Sequence, residues 1–317
     1  MRRSILLMND WLFKYKNNDF INVNLPHTWN NIDGQDGGND YYRGSCTYER
    51  KVSKPIFDLL KEDVYLVVNA SATIVFNNHE VIKHDGGYST FRVNVTEFLK
   101  DENDLKIIVD NSVNDKVYPQ NADFTFYGGI YRDVYFLVIN KTRFDIDYYG
   151  GPGIKYYSTV NGNDATVFVE TFSNSDNVFI ELYDQENNLV LQQKGTKVSF
   201  LVKDAHLWNG LIDPYLYKIV AKIICDDEVL DEISCNCGIR TFKVDPKKGF
   251  FLNGKSYPLH GVSRHQDRKA LGNAISYEMM DEDMNLIKEI GANTIRLAHY
   301  QHNQYFYDLC DKVGMVV

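Results

Sequence analysis

Residues 243–317 alternate between strand and helix patterns, and few folds accept that alternation. FFLNGKSYPLHGVSRHQDR gives way to a helical pattern, then TIRLAHY, a second helical pattern and GMVV. Strand, helix, strand, helix, strand is the signature of a parallel sheet with crossover helices. Leu259–Val262 reads as the first strand. Ser276 caps a helix running from Tyr277 to Ile290, with Glu278 in its first turn. Met280, Met284, Ile287 and Ile290 line one face of it, and Gly291 ends it. Thr294–Ala298 reads as the second strand. Asn303 caps a second helix with Phe306, Leu309, Cys310 and Val313 inward, Gly314 ends it, and Met315–Val317 begins a third strand. This is the opening of a (β/α)8 barrel, two and a half units of a fold that takes about 250 residues when complete. Arg264-His265 and His299-Tyr300 then sit just past the C-terminal ends of neighbouring strands, the face where barrel chemistry takes place.

Upstream the texture is all-β. Val64–Ala70, Ala72–Phe76, Phe91–Val95, Leu105–Val109 and Val134–Ile139 read as short strands, with one candidate helix at Ile56–Leu60. ATIVFNNHEVIKH reads as a hairpin turning on Asn77-Asn78, because Asn tolerates positive φ. Closely spaced strands of this kind point to a jelly-roll sandwich over residues 1–140. Residues 141–243 repeat the pattern in DATVFVETF, NVFIELYD, NLVLQQK, TKVSFLVK, LYKIVAKIIC and EVLDEISC. About seven strands in about 100 residues fit an immunoglobulin-like β-sandwich, which we read as a spacer. Trp208 there is a core or interface residue. Residues 244–317 are the barrel segment, with Pro246 near the boundary. It opens on a hairpin whose Asn253-Gly254 pair fits a type I′ turn.

A chain of 317 residues is long enough for these three parts. Its formal charge of -9 repels nucleic acid. The five cysteines, Cys46, Cys225, Cys235, Cys237 and Cys310, are odd in number and lack a Cys-x-x-Cys pair, against a disulfide framework or a zinc site. MRRSILLMNDWLFKY is too short in its apolar run for a signal peptide, and no run is long enough to span a membrane. The expectation is a cytoplasmic protein with neither a membrane nor a nucleic-acid partner.

Two imidazoles at the strand ends can exchange hydrogen bonds with substrate hydroxyls. A metal held with Asp267 is the weaker reading, since no paired-ligand helix accompanies them. In DFTFYGGIYRDV, Gly128-Gly129 permits a tight turn and Arg132-Asp133 reads as a structural ion pair. Asp123 by itself is an unremarkable loop acid.

Taken together these residues resemble glycoside hydrolase family 2, of β-galactosidase type. The resemblance runs through NDWLFKY and LPHTWN, then HDGGYSTFRVNVTEFL, DLKIIVDNS and GGIYRDV. It is most specific in GIRTFKVDPKKGFFLNGKSYPLHGVSRHQDR, DMNLIKEIGANTIRLAHY and YDLCDKVGMVV. It implies a retaining β-glycosidase removing terminal β-D-galactose from β-galactosides, with two carboxyl groups about 5 Å apart across the bond. Asp123 matches a family acid that reaches from the first domain to galactose hydroxyls and, in some members, helps hold sodium. No cofactor is required, with Na+ or Mg2+ expected only in a full-length enzyme. His265 and His299 match histidines that bond sugar hydroxyls. Gln266 stands where Glu is usual, and Gln301 where Pro is usual.

The family's acid/base and nucleophile Glu follow later barrel strands, beyond Val317, so no catalytic acid is assigned. Glu278, Asp281, Glu282, Asp283, Glu289, Asp308 and Asp311 lie on helices, and none can face Asp267 across a sugar. The expectation is an N-terminal fragment, silent alone. Its alternatives are a non-catalytic galactoside-binding module, a β-glucuronidase or β-mannosidase, or a fragment that completes a partner. An unpaired strand edge favours self-association, hence a homo-oligomer.

Overall fold

A computed structural model describes residues 1–33, 40–117 and 122–317. The chain divides into two compact units. The first is Arg2–Lys141 together with Gln266–Tyr277; the second is Thr142–His265 together with Glu278–Val317.

The first unit is a jelly-roll sandwich. One sheet orders its six strands Ile21–Val23, Trp11–Lys14, Ser45–Ser53, Glu102–Asp110, Ala72–Phe76 and His79–His84. The other orders Arg3–Leu6, Tyr135–Asn140, Glu62–Asn69 and Thr90–Asn94. Period-two alternation buries one face of each strand: Leu105, Ile107 and Val109 point inward from Glu102–Asp110, as do Ala72, Ile74 and Phe76 from its neighbour. Trp11, Tyr48, Phe76 and Phe136 are the large side chains at the centre. Trp11 is fully buried, and its indole N–H reaches the Leu7 carbonyl at 2.7 Å. The hairpin turn is as expected, with Asn77 and Asn78 at φ 50° and 68°. Ile56–Leu60 is not a helix. Pro55 precedes it, and the Asp58 carboxylate and carbonyl take the amides of Leu60, Lys61 and Glu62 in a turn instead.

His27 is partly buried against this core, its ring 4.6 Å from that of Phe13 and its Nδ1 2.7 Å from the Tyr48 hydroxyl. Burial lowers its pKa from 6.5 to about 4. The folded state therefore disfavours the imidazolium while the unfolded chain accepts the proton. Stability is full above pH 6.5 and is lost as the pH falls toward 4, by roughly 3 kcal/mol at about 1.4 kcal/mol per pKa unit. Urea denaturation of His27→Asn and of the native chain across that range is expected to show a shallower loss for the variant; parallel curves would refute it.

The second unit opens with an immunoglobulin-like sandwich. Ile154–Asn161, Asp164–Thr171 and Lys197–Val202 form one sheet; Leu189–Lys194, Val178–Tyr183, Tyr217–Cys225 and Glu228–Cys237 form the other. Their inward faces supply a core of Val167, Val178, Ile180, Leu182, Ile219 and Ile223. Asp231 points into it as well, fully buried, and accepts the Phe144 amide at 2.8 Å. The cysteines are all free thiols. Burial pushes Cys46 up to about 11 and Cys235 and Cys310 up to about 12, so these three are packing groups and not nucleophiles at neutral pH.

The barrel segment follows. Phe242–Asp245, Gly249–Leu252 and Lys255–Ser256 form a meander whose tight turn has Asn253 and Gly254 at φ 50° and 76°. The first barrel strand is Gly261–Arg264, two residues later than the apolar run suggested, so Arg264 is its last residue and not beyond it. It pairs in parallel with Thr294–Leu297. Helix α1 (Tyr277–Glu289) buries Met280, Met284 and Ile287, whereas Ile290 lies past the helix and is exposed. Helix α2 (Gln304–Val313) is capped by Asn303, which accepts the Tyr305 amide, and ends at Gly314 in the left-handed conformation. The third strand is represented by a bridge between Thr294 and Val316. Among the described residues no helix is long and apolar enough to cross a membrane.

Candidate active site

The parallel register pairs Gly261 with Thr294 and Arg264 with Leu297, so both strands end level. A β-carbon at position 261 would collide with Thr294, which is why glycine opens the pair. His265 follows one strand and Ala298-His299-Tyr300 the other. The two imidazoles meet edge to face, with centroids 5.2 Å apart, and His265 lies 5.8 Å from the Tyr300 ring. His299 is exposed and His265 partly buried. Arg296 Nη2 is 3.0 Å from His299 Nδ1. A guanidinium only donates, so Nδ1 accepts and the neutral ring carries its proton on Nε2. His299 therefore has a donor at Nε2, the atom suited to a hydroxyl oxygen.

Beneath the rings lies a network that the pattern of strands and helices did not reveal. Arg264 is 6% exposed. Its Nε and Nη2 donate to Asp283 Oδ2 of α1 at 2.9 and 2.6 Å, and its Nη1 lies 3.0 Å from Nδ1 of His302. The guanidinium carbon stands 3.9 Å from the centroid of Phe306 in α2. His302 is 1% exposed, with Nε2 at 3.2 Å from the Ala298 carbonyl oxygen. Asp283 lies on a helix, as its sequence implies, and its engagement with a strand-end arginine joins residues 19 positions apart. A second histidine three residues after His299 was the available signal.

Asp123, the remaining residue expected at a site, belongs to the first unit. Asp123 is exposed in the loop leading to the short strand Gly129–Ile130. That loop is fixed behind the acid: Asn111 Nδ2 donates to the Phe126 carbonyl at 2.8 Å, and the Gly128 amide donates to Asn30 Oδ1 at 2.7 Å. Arg132 donates to the Tyr88 carbonyl at 2.8 Å, and Asp133 accepts from Tyr277 at 2.6 Å. The segment Gln266–Tyr277 docks on the same loop. Tyr127 donates to Asp267 at 3.3 Å, and Asn31 Nδ2 donates to the Ala270 carbonyl at 3.3 Å. Gly272, at φ +53°, sits where a side chain would strike the Tyr127 ring. Burial, and then the Asp267 charge, hold the Tyr127 hydroxyl well above its usual range. Among the described residues no three His, Cys, Asp or Glu side chains gather into a group that could hold a metal. One exposed carboxylate at Asp123 does not by itself fit a cation, which takes several oxygen ligands.

Comparison with known proteins agrees with this layout. Residues 155–240 match the glycosyl hydrolases family 2 domain, and residues 242–317 match the family 2 TIM barrel domain. A β-glucuronidase of Bacteroides fragilis is 35% identical over 346 residues, covering 99% of this chain and 49% of the relative. A β-galactosidase of Bacteroides ovatus is 29% identical, covering 96% of this chain and 38% of its own length. The crystal structure of an FMN-binding β-glucuronidase from Faecalibacterium prausnitzii L2-6 superposes with a TM-score of 0.94 at 41% identity, covering 99% of this chain and 51% of that one. The chain thus spans about half the length, or less, of these relatives. Its jelly roll, its immunoglobulin-like sandwich and the first parallel strands of its barrel are shared with enzymes that cleave glycosides, and the chain belongs to glycoside hydrolase family 2.

Proposed function

We propose that the whole protein is a retaining exo-β-glycosidase acting on terminal β-D-galactosides. The observation that carries this reading is the pair of imidazoles at level strand ends, one with its donor set on Nε2 by Arg296. Imidazole nitrogens at these strand ends can donate to and accept from sugar hydroxyls beside the two carboxyl groups that exchange the proton. Asp123, a carboxylate on a firmly tied loop, is proposed to accept from galactose hydroxyls. His265 and His299 are proposed to bond other hydroxyls and to strengthen those bonds as positive charge develops on the ring. A β-D-glucuronide is the second reading, favoured by the names of the two relatives with 35% and 41% identity. Hydrolysis of p-nitrophenyl β-D-galactoside and p-nitrophenyl β-D-glucuronide by the whole protein decides between them. Preference for the glucuronide would overturn the first.

The 317-residue chain alone is proposed to be silent. Retention needs two carboxyl groups about 5 Å apart facing one glycosidic bond. Here Asp283 is committed to Arg264, Asp281 accepts from Tyr305 at 2.8 Å, and Asp267 accepts from Tyr127. The purified polypeptide is expected to release no nitrophenol above a buffer blank from either glycoside, and turnover that withstands repurification would sink this reading.

A further inference from the structure

We propose that Arg264 and His302 are positioning residues that aim the imidazoles of His265 and His299. The functional consequence rests on the reading of those two rings as sugar contacts; the positioning does not. The Ala298 carbonyl can only accept, so the Nε2 of His302 that faces it must carry a hydrogen. Arg264 can only donate, so Nδ1 must keep its lone pair. Both partners thus demand the same neutral tautomer, in a ring that is 1% exposed. Ala298 is held from both sides: its carbonyl by His302, and its amide by the Arg264 carbonyl at 2.9 Å.

The consequence follows from chain adjacency. Ala298 immediately precedes His299, and Arg264 immediately precedes His265. One guanidinium therefore fixes the residue before each imidazole, and through Asp283 and Phe306 it ties both to α1 and α2. An ion pair serving stability alone would need Asp283 and nothing more. His302 adds a directional bond to the backbone at the point where the second ring leaves its strand.

The test uses the 317-residue chain labelled with 15N at histidine. Long-range proton–nitrogen correlation is expected to show His302 as the Nε2–H tautomer. His302→Phe, which keeps a ring but no polar atom, is expected to move the His265 and His299 signals. His302→Gln, whose amide supplies one acceptor and one donor, is expected to restore them. Signals of His265 and His299 unmoved in a folded His302→Phe, or an Nδ1–H tautomer in the native chain, would overturn the proposal. Should His302→Phe fail to fold, the tautomer and the His302→Gln spectrum still decide.

In the whole protein His302→Phe is expected to lower kcat about 10- to 100-fold with KM little changed, since small misplacements of contacting groups cost that much. His302→Gln is expected to recover most of it. If His265→Ala and His299→Ala leave hydrolysis intact, the sugar-contact reading fails while the spectra still judge the positioning.

Discussion

Gly129→Ala is expected to destabilise the first unit by roughly 3 kcal/mol or more. Two costs combine. Gly129 has φ +147°, a region closed to a residue with a side chain, and such strain costs of order 1–3 kcal/mol. A β-carbon there would also run into the carbonyl oxygen of His27 and the α-carbon of Thr28, and forced overpacking costs about 1–3 kcal/mol. Neither neighbour can swing away, because both are backbone atoms of the strand that pairs with Gly129–Ile130. The loss is read from urea denaturation and, locally, from hydrogen exchange at the Trp29 amide, which donates to the Gly128 carbonyl at 3.2 Å. Protection at Trp29 equal to that of the native chain would show that the pairing tolerates a side chain, contrary to this argument.

Gly314→Ala is the second large effect, in the other unit. Gly314 ends α2 at φ +84°, which costs an L residue about 1–2 kcal/mol. Its added β-carbon would meet the Gly210 carbonyl and the Leu211 amide nitrogen, again backbone. At this point α2 seats against the sandwich, where the Trp208 indole donates to the Asp311 carbonyl at 2.9 Å. Gly291→Ala is the matched control. It has φ +79° just after α1, but nothing lies within 4 Å of its missing β-carbon. The control is expected to lose about 1–2 kcal/mol from backbone strain alone, and Gly314→Ala about twice that, with a red shift of Trp208 fluorescence. Equal losses would mean that α2 and the Gly210 turn are not rigidly seated.

The parts of the fold that follow from local pattern were legible. The Asn77-Asn78 and Asn253-Gly254 turns, the alternating strands of both sandwiches, and the caps at Asn303 and Gly314 each depend on a few adjacent residues. What was missed depends on distant partners. The first barrel strand slid two residues because Ser263 and Arg264 are polar, and only the buried pairing with Asp283 and His302 makes an arginine acceptable inside a strand. Ile290 continues the apolar stripe of α1 on paper, but the helix ends one residue before it and leaves it exposed. The second histidine, at position 302, signals a polar group near the strand end, but nothing in the sequence around it or around Arg296 names the arginine or the carbonyl that sets a tautomer. Asp123 carries no such mark either; only resemblance singles it out.

Gln266–Tyr277 runs from just past the first barrel strand to the first residue of α1, yet it belongs to the jelly-roll unit, with Asn273 and Ile275 buried there. The jelly roll is thus discontinuous in the gene. A graft carrying residues 1–141 alone would leave Tyr127, Asn31 and Asp133 without the segment they grip, and a barrel transplanted without its jelly roll would carry an orphaned stretch of twelve positions, 266 to 277. Recombination among such proteins is therefore penalised at the boundary that looks cleanest in sequence. The two partners have to be inherited together, or the tether redesigned on both sides at once.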